Sequence, residues 1–295
     1  MNIPEYILEI LQANPNIGRY RLSEMANISE SLARYYVKLW KEQKNCGENG
    51  RVLHGVALGD IHYPDHDRPS ISIALQFRRD LQPDIFILAG DQMDMSSISE
   101  YNKNKPKLLE GRRLKKEYTG FQENILDKFD NVLGDRCRKY FFIGNHEYRT
   151  HRLVESDPQY EGWVEPENNL DLREYKIIGF NDTLNIGEAY FAHGVYYNKY
   201  FAEKNVRVFG KHIFTWHTHV PQVFTMISPV NHLPKQGVGV GCLCNKNPEY
   251  KKGRPNAWVH QFLYFYLYGD GRFTYYTPIV LDGRTIINNK KYVGW

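Results

Sequence analysis

The amino-acid sequence predicts an α/β chain, two sheets packed face to face with helices outside, preceded by a small all-helical unit. Three observations predict it. Short apolar runs at Val52–Leu58, Ile85–Ala89, Lys139–Ile143, Ala189–Ala192 and Lys211–Trp216 each end in a polar residue, as buried strands do when their carboxyl ends deliver a site. Helical stretches near 70–81 and 118–133 separate the first of these runs, the alternation of a parallel sheet. Residues 1–45 carry helical periodicity alone.

The elements follow in order. A first helix covers roughly Pro4 to Ala13, with Ile7, Leu8, Ile10 and Leu11 as its apolar face, and Asn14-Pro15-Asn16 ends it. A second runs from about Arg21 to Ala26. After a turn at Asn27-Ile28, a third runs from Ser29 or Glu30 to about Gln43, with Ser29 suited to cap it. Leu32, Tyr36 and Leu39 share one face of that helix, and Arg34, Lys38 and Lys41 another. The stretch RLSEMANISESLARYYVKLWKEQ resembles a helix-turn-helix or winged-helix unit. Six Arg/Lys and six Glu leave residues 1–50 without net charge, which suits a packing cap as well as a DNA or RNA reader. Cys46–Gly50 reads as a linker or wing tip. The boundaries expected are 1–50 for the helical unit and 51–295 for the main domain. Past residue 220, Val223–Ile227, Gly237–Cys242, Trp258–Tyr268 and Arg272–Ile279 read as further strands, so the sheets are mixed.

Bulk properties narrow the class. With 42% apolar and 14% aromatic residues in 295, the chain can fill a large core. Its formal charge of +4 is a weak pointer to a polyanion. Four cysteines are too few for a disulfide framework and read as reduced thiols; Cys242 and Cys244 are separated by one residue, which is not the usual zinc spacing. The N-terminus has no basic-then-apolar leader, and no run of 18 apolar residues occurs. The expected location is the cytoplasm, with no membrane partner; a homodimer is left open.

Five strand ends carry donor residues: Asp60-Ile61-His62, Gly90-Asp91-Gln92-Met93-Asp94, Gly144-Asn145-His146-Glu147, His193-Gly194 and His217-Thr218-His219. Carboxylate, amide and imidazole without thiolate suit borderline-hard divalent ions. Buried strand-end charges without a counterpart would be costly. The ordered set DxH, GDxxD, GNHE, H and HxH, over about 51–245, resembles the calcineurin-like metallophosphoesterase superfamily. The resemblance implies its two-sheet sandwich and two divalent ions, manganese first, with iron, zinc, magnesium or nickel as substitutes. It assigns Asp60, His62 and His219 to one ion, Asn145, His193 and His217 to the other, and Asp91 as a bridge giving one oxygen to each. Such ions, roughly 3.5–4 Å apart, hold a hydroxide between them. The resemblance makes His146 the general acid for the leaving alkoxide or a donor to the phosphoryl group, and pairs it with Asp94.

The chain departs from the serine/threonine phosphatase branch. Tyr63-Pro64 follows DxH, Met95-Ser96 follows GDxxD in place of Arg-Gly, and Trp216 replaces the usual Gly before HxH. Trp216 implies a shifted strand or a different neighbour. The stretch GNHEYRxxR and the segment NPEYKKGRPNAWVHQF at 247–262 resemble metallophosphoesterases of phages and prophages, which places the protein in a bacterial host cytoplasm if it is phage-encoded. Arg149 and Arg152 are the phosphate-binding candidates. Ser96–Lys116 is a basic insert, and Tyr101 within it and Tyr118 just beyond it could stack on bases. DNA is the partner these features suggest, through a nuclease or phosphodiesterase activity. The alternatives are a phosphomonoesterase or small- or cyclic-nucleotide phosphodiesterase, and a non-catalytic DNA-binding regulator.

Overall fold

A computed structural model describes residues 3–14, 17–44, 51–132, 134, 136–230 and 233–295, without the side chains of 41–44. The linker or wing expected at Cys46–Gly50 and the side chain of Lys41 lie outside the described residues. The chain divides into two compact units: Met1–Leu53 with Ile186–Glu188 and Leu267–Phe273, and the remainder, His54–Asn185, Ala189–Tyr266 and Thr274–Trp295.

The smaller unit holds α1 (Glu5–Ala13), α2 (Arg19–Ala26) and α3 (Glu30–Lys44). Ile7, Leu11, Leu22, Ala33, Tyr36 and Val37 form its core. The α2–α3 turn is tight because Asn27 takes a left-handed conformation (φ 49°), which Asn tolerates better than most residues. The Ser23 hydroxyl donates to the Ile28 carbonyl at 2.6 Å. Ser29 caps α3, accepting from the Leu32 amide at 3.3 Å. Leu32, expected on the apolar face, is exposed instead, and Ala33 takes its place inside.

The larger unit carries a six-stranded and a five-stranded sheet. Its elements run β1 (Leu53–Leu58), α4 (Arg68–Leu81), β2 (Ile85–Leu88), α5 (Leu114–Phe121), α6 (Asp127–Asp130), β3 (Arg138–Phe142), α7 (Tyr148–Ser156), α8 (Pro166–Asn169) and β4 (Tyr175–Ile178). Then come β5 (Leu184–Ile186), β6 (Ala189–Ala192), α9 (Phe201–Phe209), β7 (His212–Thr215), β8 (Gln222–Ile227), β9 (Pro234–Gly239), β10 (Leu263–Leu267), β11 (Phe273–Tyr276), β12 (Arg284–Ile287) and β13 (Lys290–Val293). The first sheet has the order β11-β10-β1-β2-β3-β4, the second β5-β6-β7-β9-β8, and β12–β13 form a hairpin. β1 to β4 are parallel, as are β6, β7 and β9. That arrangement sends their carboxyl ends to one edge of each sheet. Rings from the two sheets meet, Phe191 against Phe265 and Phe214 against Tyr275, so the expected α/β two-sheet plan with helices is present.

Some boundaries differ from expectation. The helix expected over 118–133 starts at Leu114 and passes through a π-helical turn, Gln122–Leu126. The strand expected over Trp258–Tyr268 is regular only over Leu263–Leu267; His260 and Gln261 make isolated bridges to Cys242 and Ile279. Tyr118 is not available for base stacking. It is 1% exposed and its hydroxyl donates to the Val164 carbonyl, because its face of α5 also carries Phe121 into the core.

Candidate metal centre

The residues that deliver the donors break strand geometry abruptly. Asp60, His62, Asp91, His217 and His219 all have positive φ, between 50° and 75°, where non-glycine residues are strained. Main-chain hydrogen bonds hold these loops to one another. The Asp60 amide donates to Gly90 O, the His62 amide to Asp91 O, and the Leu243 amide to Asp60 O, each at 3.0 Å. The approach is close enough to need glycine: a Cβ on Gly144 would lie 2.3 Å from the Asp91 amide nitrogen.

Two groups of donor atoms result. In the first, Nε2 of His62 and His219 are 3.2 Å apart. Asp60 Oδ1 lies 3.4 Å from His219 Nε2, and Asp91 Oδ2 lies 3.8 Å from His62 Nε2. In the second, Asn145 Oδ1 lies 2.6 Å from His217 Nδ1 and 3.1 Å from His193 Nε2, which is 3.2 Å from Asp91 Oδ2. All seven residues expected as ligands therefore meet at one place. Asp91 faces both groups with Oδ2 alone, because Oδ1 accepts the His146 amide at 2.8 Å. Oδ2 is therefore the Asp91 oxygen placed toward both groups.

The donor set fits divalent cations. Asp60 Oδ1 is buried with no hydrogen-bond partner. His193 Nδ1 faces the Ala89 carbonyl at 2.9 Å, so that nitrogen carries the proton. Its Nε2 is then left facing two oxygens, a place for a second ring proton or a cation. The electrostatics agree. Burial opposes charge on His193 and His219, yet Asp91 and Asp60 outweigh it and raise them to about 9 and about 10. Positive charge is what these carboxylates require, and cations supply it.

His146 and Asp94 sit beside the first group. The pairing differs from the carboxylate contact expected. His146 Nδ1 is 2.7 Å from the Asp94 main-chain carbonyl, an acceptor, so Nδ1 carries the proton. The Asp94 carboxylate is 3.6 Å from both His146 Nδ1 and His62 Nδ1, too far for a hydrogen bond. Arg149 places Nη1 2.6 Å from the Asp94 carbonyl and Nη2 3.0 Å from His146 Nε2. Burial pushes His146 down to about 3, with Arg149 adding to the effect. Arg152 lies elsewhere, its guanidinium over the Tyr148 ring at 5.5 Å.

Four features escaped the sequence reading. Glu147 is fully buried and accepts four main-chain N–H groups: Asp91 and Gly144 on Oε2 at 3.0 Å, Gln92 at 2.7 Å and Met93 at 3.0 Å on Oε1. It ties the two ligand loops together, and its signal was the last letter of the GNHE motif. Arg112, from the basic insert, binds the Asp65 carboxylate at 2.8 and 3.2 Å and Ser96 Oγ at 3.1 Å. The rings of Trp258 and Tyr197 pack on His219 and His217. The Cys244 sulfur lies 3.6 Å from His219 Nδ1. No motif announces the last three.

The profile of the family described as calcineurin-like phosphoesterase matches residues 55–243. The chain belongs to that family. The phosphoesterase has no match among curated proteins. Among solved structures it is similar to zinc-complexed wild-type Vps29 from Entamoeba histolytica, at 12% identity and TM-score 0.42 over 79% of this chain and 96% of that one. It is similar to vacuolar protein sorting 29 from Cryptosporidium parvum, at 17% identity and TM-score 0.41 over 82% and 98%. A predicted phosphoesterase from Streptococcus pneumoniae TIGR4 matches at 10% identity and TM-score 0.29 over 77% and 98%. Among the described residues no helix of this phosphoesterase is long and apolar enough to cross a membrane.

Proposed function

We propose that this phosphoesterase hydrolyses phosphodiester bonds in DNA, using two divalent ions, with the helical unit as a tether to the polymer and the basic insert as a backbone contact. One observation carries the reading: two donor groups share Asp91 Oδ2, with His146 Nε2 3.9 Å from that oxygen and already touching an arginine.

Asp60, His62 and His219 would hold one ion, Asn145, His193 and His217 the other, and Asp91 both. Manganese fits this oxygen and imidazole set, and the ions supply Lewis acidity that acidifies water and neutralises phosphoryl charge. The remaining chemistry belongs to side chains. Arg149 divides its donors between the Asp94 carbonyl and His146 Nε2. A phosphoryl oxygen entering the cleft competes for the second donor, since guanidinium prefers an anion to a neutral imidazole. That exchange frees the His146 Nε2 lone pair to take up the proton released by the attacking water and pass it to the leaving alkoxide. The Asp94 carbonyl keeps the other ring proton on Nδ1 throughout. Arg152 is kept as a second phosphate contact, farther along the strand.

The DNA reading draws on what surrounds the centre. Arg112 anchors the insert beside the GDxxD loop, and Lys105, Lys107, Arg113, Lys115 and Lys116 along it are exposed. Basic side chains beside a phosphodiester centre follow a backbone. The tight α2–α3 turn supports reading the helical unit as a helix-turn-helix, with Ser31, Arg34, Tyr35 and Lys38 on the exposed side of α3.

The test offers the manganese-loaded protein bis-p-nitrophenyl phosphate, p-nitrophenyl phosphate, and linear single- and double-stranded DNA. Cleavage of the diester and of DNA is expected. Turnover of the monoester alone would replace the reading with a phosphomonoesterase, and no turnover with no metal retained would favour a DNA-binding regulator. His146→Ala is expected to slow diester cleavage about 10²–10⁴-fold with metal content unchanged. Removing residues 1–45 is expected to weaken binding to long DNA and spare small esters; unchanged DNA affinity would make the unit a packing cap.

A further inference from the structure

We propose that Cys244, with Cys242 beside it, positions His219 for the first ion by accepting the hydrogen bond from its Nδ1. The inference rests on the reading of His219 as a ligand.

A metal-binding imidazole offers one nitrogen to the ion, and a partner on the other nitrogen fixes the tautomer and the ring. The usual partners are oxygens. His193 follows that rule, with the Ala89 carbonyl 2.9 Å from Nδ1. His62 turns its Nδ1 toward the Asp94 carboxylate at 3.6 Å. His219 differs. Its Nε2 faces inward, 3.2 Å from His62 Nε2 and 3.4 Å from Asp60 Oδ1. Its Nδ1 faces outward and meets sulfur, Cys244 Sγ at 3.6 Å, a normal separation for an acceptor of that size.

The sulfur is held as firmly as a carbonyl would be. Cys244 is 3% exposed and Cys242 fully buried. The main chain between them is pinned, with the Leu243 amide donating to Asp60 O at 3.0 Å and the Cys242 amide to Val259 O at 2.9 Å. Cys242 and Cys244 bridge to His260 and His66, and residues two apart along an extended chain share a face. Trp258 closes over the His219 ring, centroids 4.2 Å apart. His62, His219 and Cys244 do converge within 4.8 Å. Even so, Cys244 sits at the ring corner away from Nε2, and the lone-pair directions of Nδ1 and Nε2 diverge. One ion cannot take both nitrogens, so Cys244 acts through His219.

The pair thus gives a role to the two thiols that the chemistry of the site leaves unused. It also makes the first ion's affinity depend on an acceptor that single substitutions remove or restore. The full-length chain and four variants are dialysed against Mn²⁺ alone, with metal content measured by mass spectrometry and folding checked by thermal melting. Cys244→Ala is expected to weaken one of two manganese sites about 10–100-fold, the range for lost outer partners of a ligand, and to leave the other unchanged. Cys244→Ser keeps an acceptor and is expected to stay within a few-fold of native. Cys137→Ala controls for loss of any thiol. Native affinity at both sites in Cys244→Ala overturns the inference, as does a fall in Cys244→Ser equal to that in Cys244→Ala. If Cys244→Ala does not fold, Cys244→Val, close to cysteine in volume and lacking an acceptor, takes its place with the same outcomes. His219→Ala separates the two levels. If it keeps both ions, the ligand assignment itself fails; if it loses one while Cys244→Ala loses none, only the positioning role fails.

Discussion

Glu147→Gln isolates the part of the centre that never touches an ion or substrate. Each Glu147 oxygen accepts two main-chain N–H groups, Asp91 and Gly144 on one, Gln92 and Met93 on the other. Glutamine keeps one acceptor and turns an NH₂ toward the other pair. Two buried donors then lose their partner at about 1–3 kcal/mol each, so the direct cost is about 2–6 kcal/mol. Burial and the neighbouring Asp91 already push Glu147 up to about 7, and removing its charge returns part of that cost. A net loss of about 2–4 kcal/mol remains, which lowers the melting temperature of a domain this size by about 5 °C or more. The loss falls on the loops carrying Asp91 and Asn145, so manganese affinity should drop with it. The assay is thermal melting with EDTA and with Mn²⁺, together with dialysis of the metal. A Glu147→Gln chain that melts within about a degree of native and holds both ions as tightly would refute the cradle argument.

Three further outcomes follow from the same geometry. A Cβ at Gly59 would lie 2.5 Å from Trp216 Cδ1, so Gly59→Ala should cost about 1–3 kcal/mol, and Trp216→Leu should recover part of it; additive melting shifts in the double variant would refute the contact. Arg149→Met should raise KM for a diester while leaving manganese affinity native, and an unchanged KM would remove Arg149 as the phosphate clamp. Burial, with repulsion from Asp94, raises Glu117 from 4.5 to about 8. The folded chain therefore holds a proton there that the unfolded chain has released. Stability from this group falls as pH rises from 4.5 to 8 and is level above, by a few kcal/mol in all. Glu117→Gln should flatten that slope in melts across pH 5–8, and an identical slope would refute it.

The donor set was legible because chemistry and position coincide in it: an apolar run of four or more residues, then a residue that has no reason to be buried there. What depends on pairs of distant residues was not legible. Trp216 looked like a fault in its motif until its neighbour was known. The strand keeps its register, Thr215 opposite Gly239, and the missing glycine is compensated across the loop by Gly59. Asp94 was expected to act through its carboxylate, but its main-chain carbonyl holds His146, and a carbonyl is common to every residue type. Tyr118 read as a surface aromatic because it follows four basic residues within seven positions; the helical turn, not the neighbouring letters, sends it inward. α7, α9, β4 and the β12–β13 hairpin were left unassigned. Their segments are short, and the hairpin turn rests on Asn288 and Asn289, both at positive φ, as a two-residue turn requires.

The left-handed donors join these observations to a prediction about energy. Asp60, His62, Asp91, His217 and His219 each sit where a non-glycine residue costs of order 1–3 kcal/mol. That geometry persists only if something else determines it. Glu147 does so for the Asp91 loop and Gly144, and the Asp60 carboxylate does so for His217, accepting its amide at 2.9 Å. Neither compensates the converging lone pairs and the unpartnered Asp60 Oδ1. Ions binding the folded chain alone add RT ln(1 + [L]/Kd) of stability, about 2.7 kcal/mol at a hundredfold excess over Kd. The melting temperature should therefore rise steeply with Mn²⁺. It should rise less in Asp60→Asn, which neutralises the orphaned oxygen while keeping the carbonyl that His217 needs. An equal rise in both chains would mean that Asp60 Oδ1 is not facing an ion.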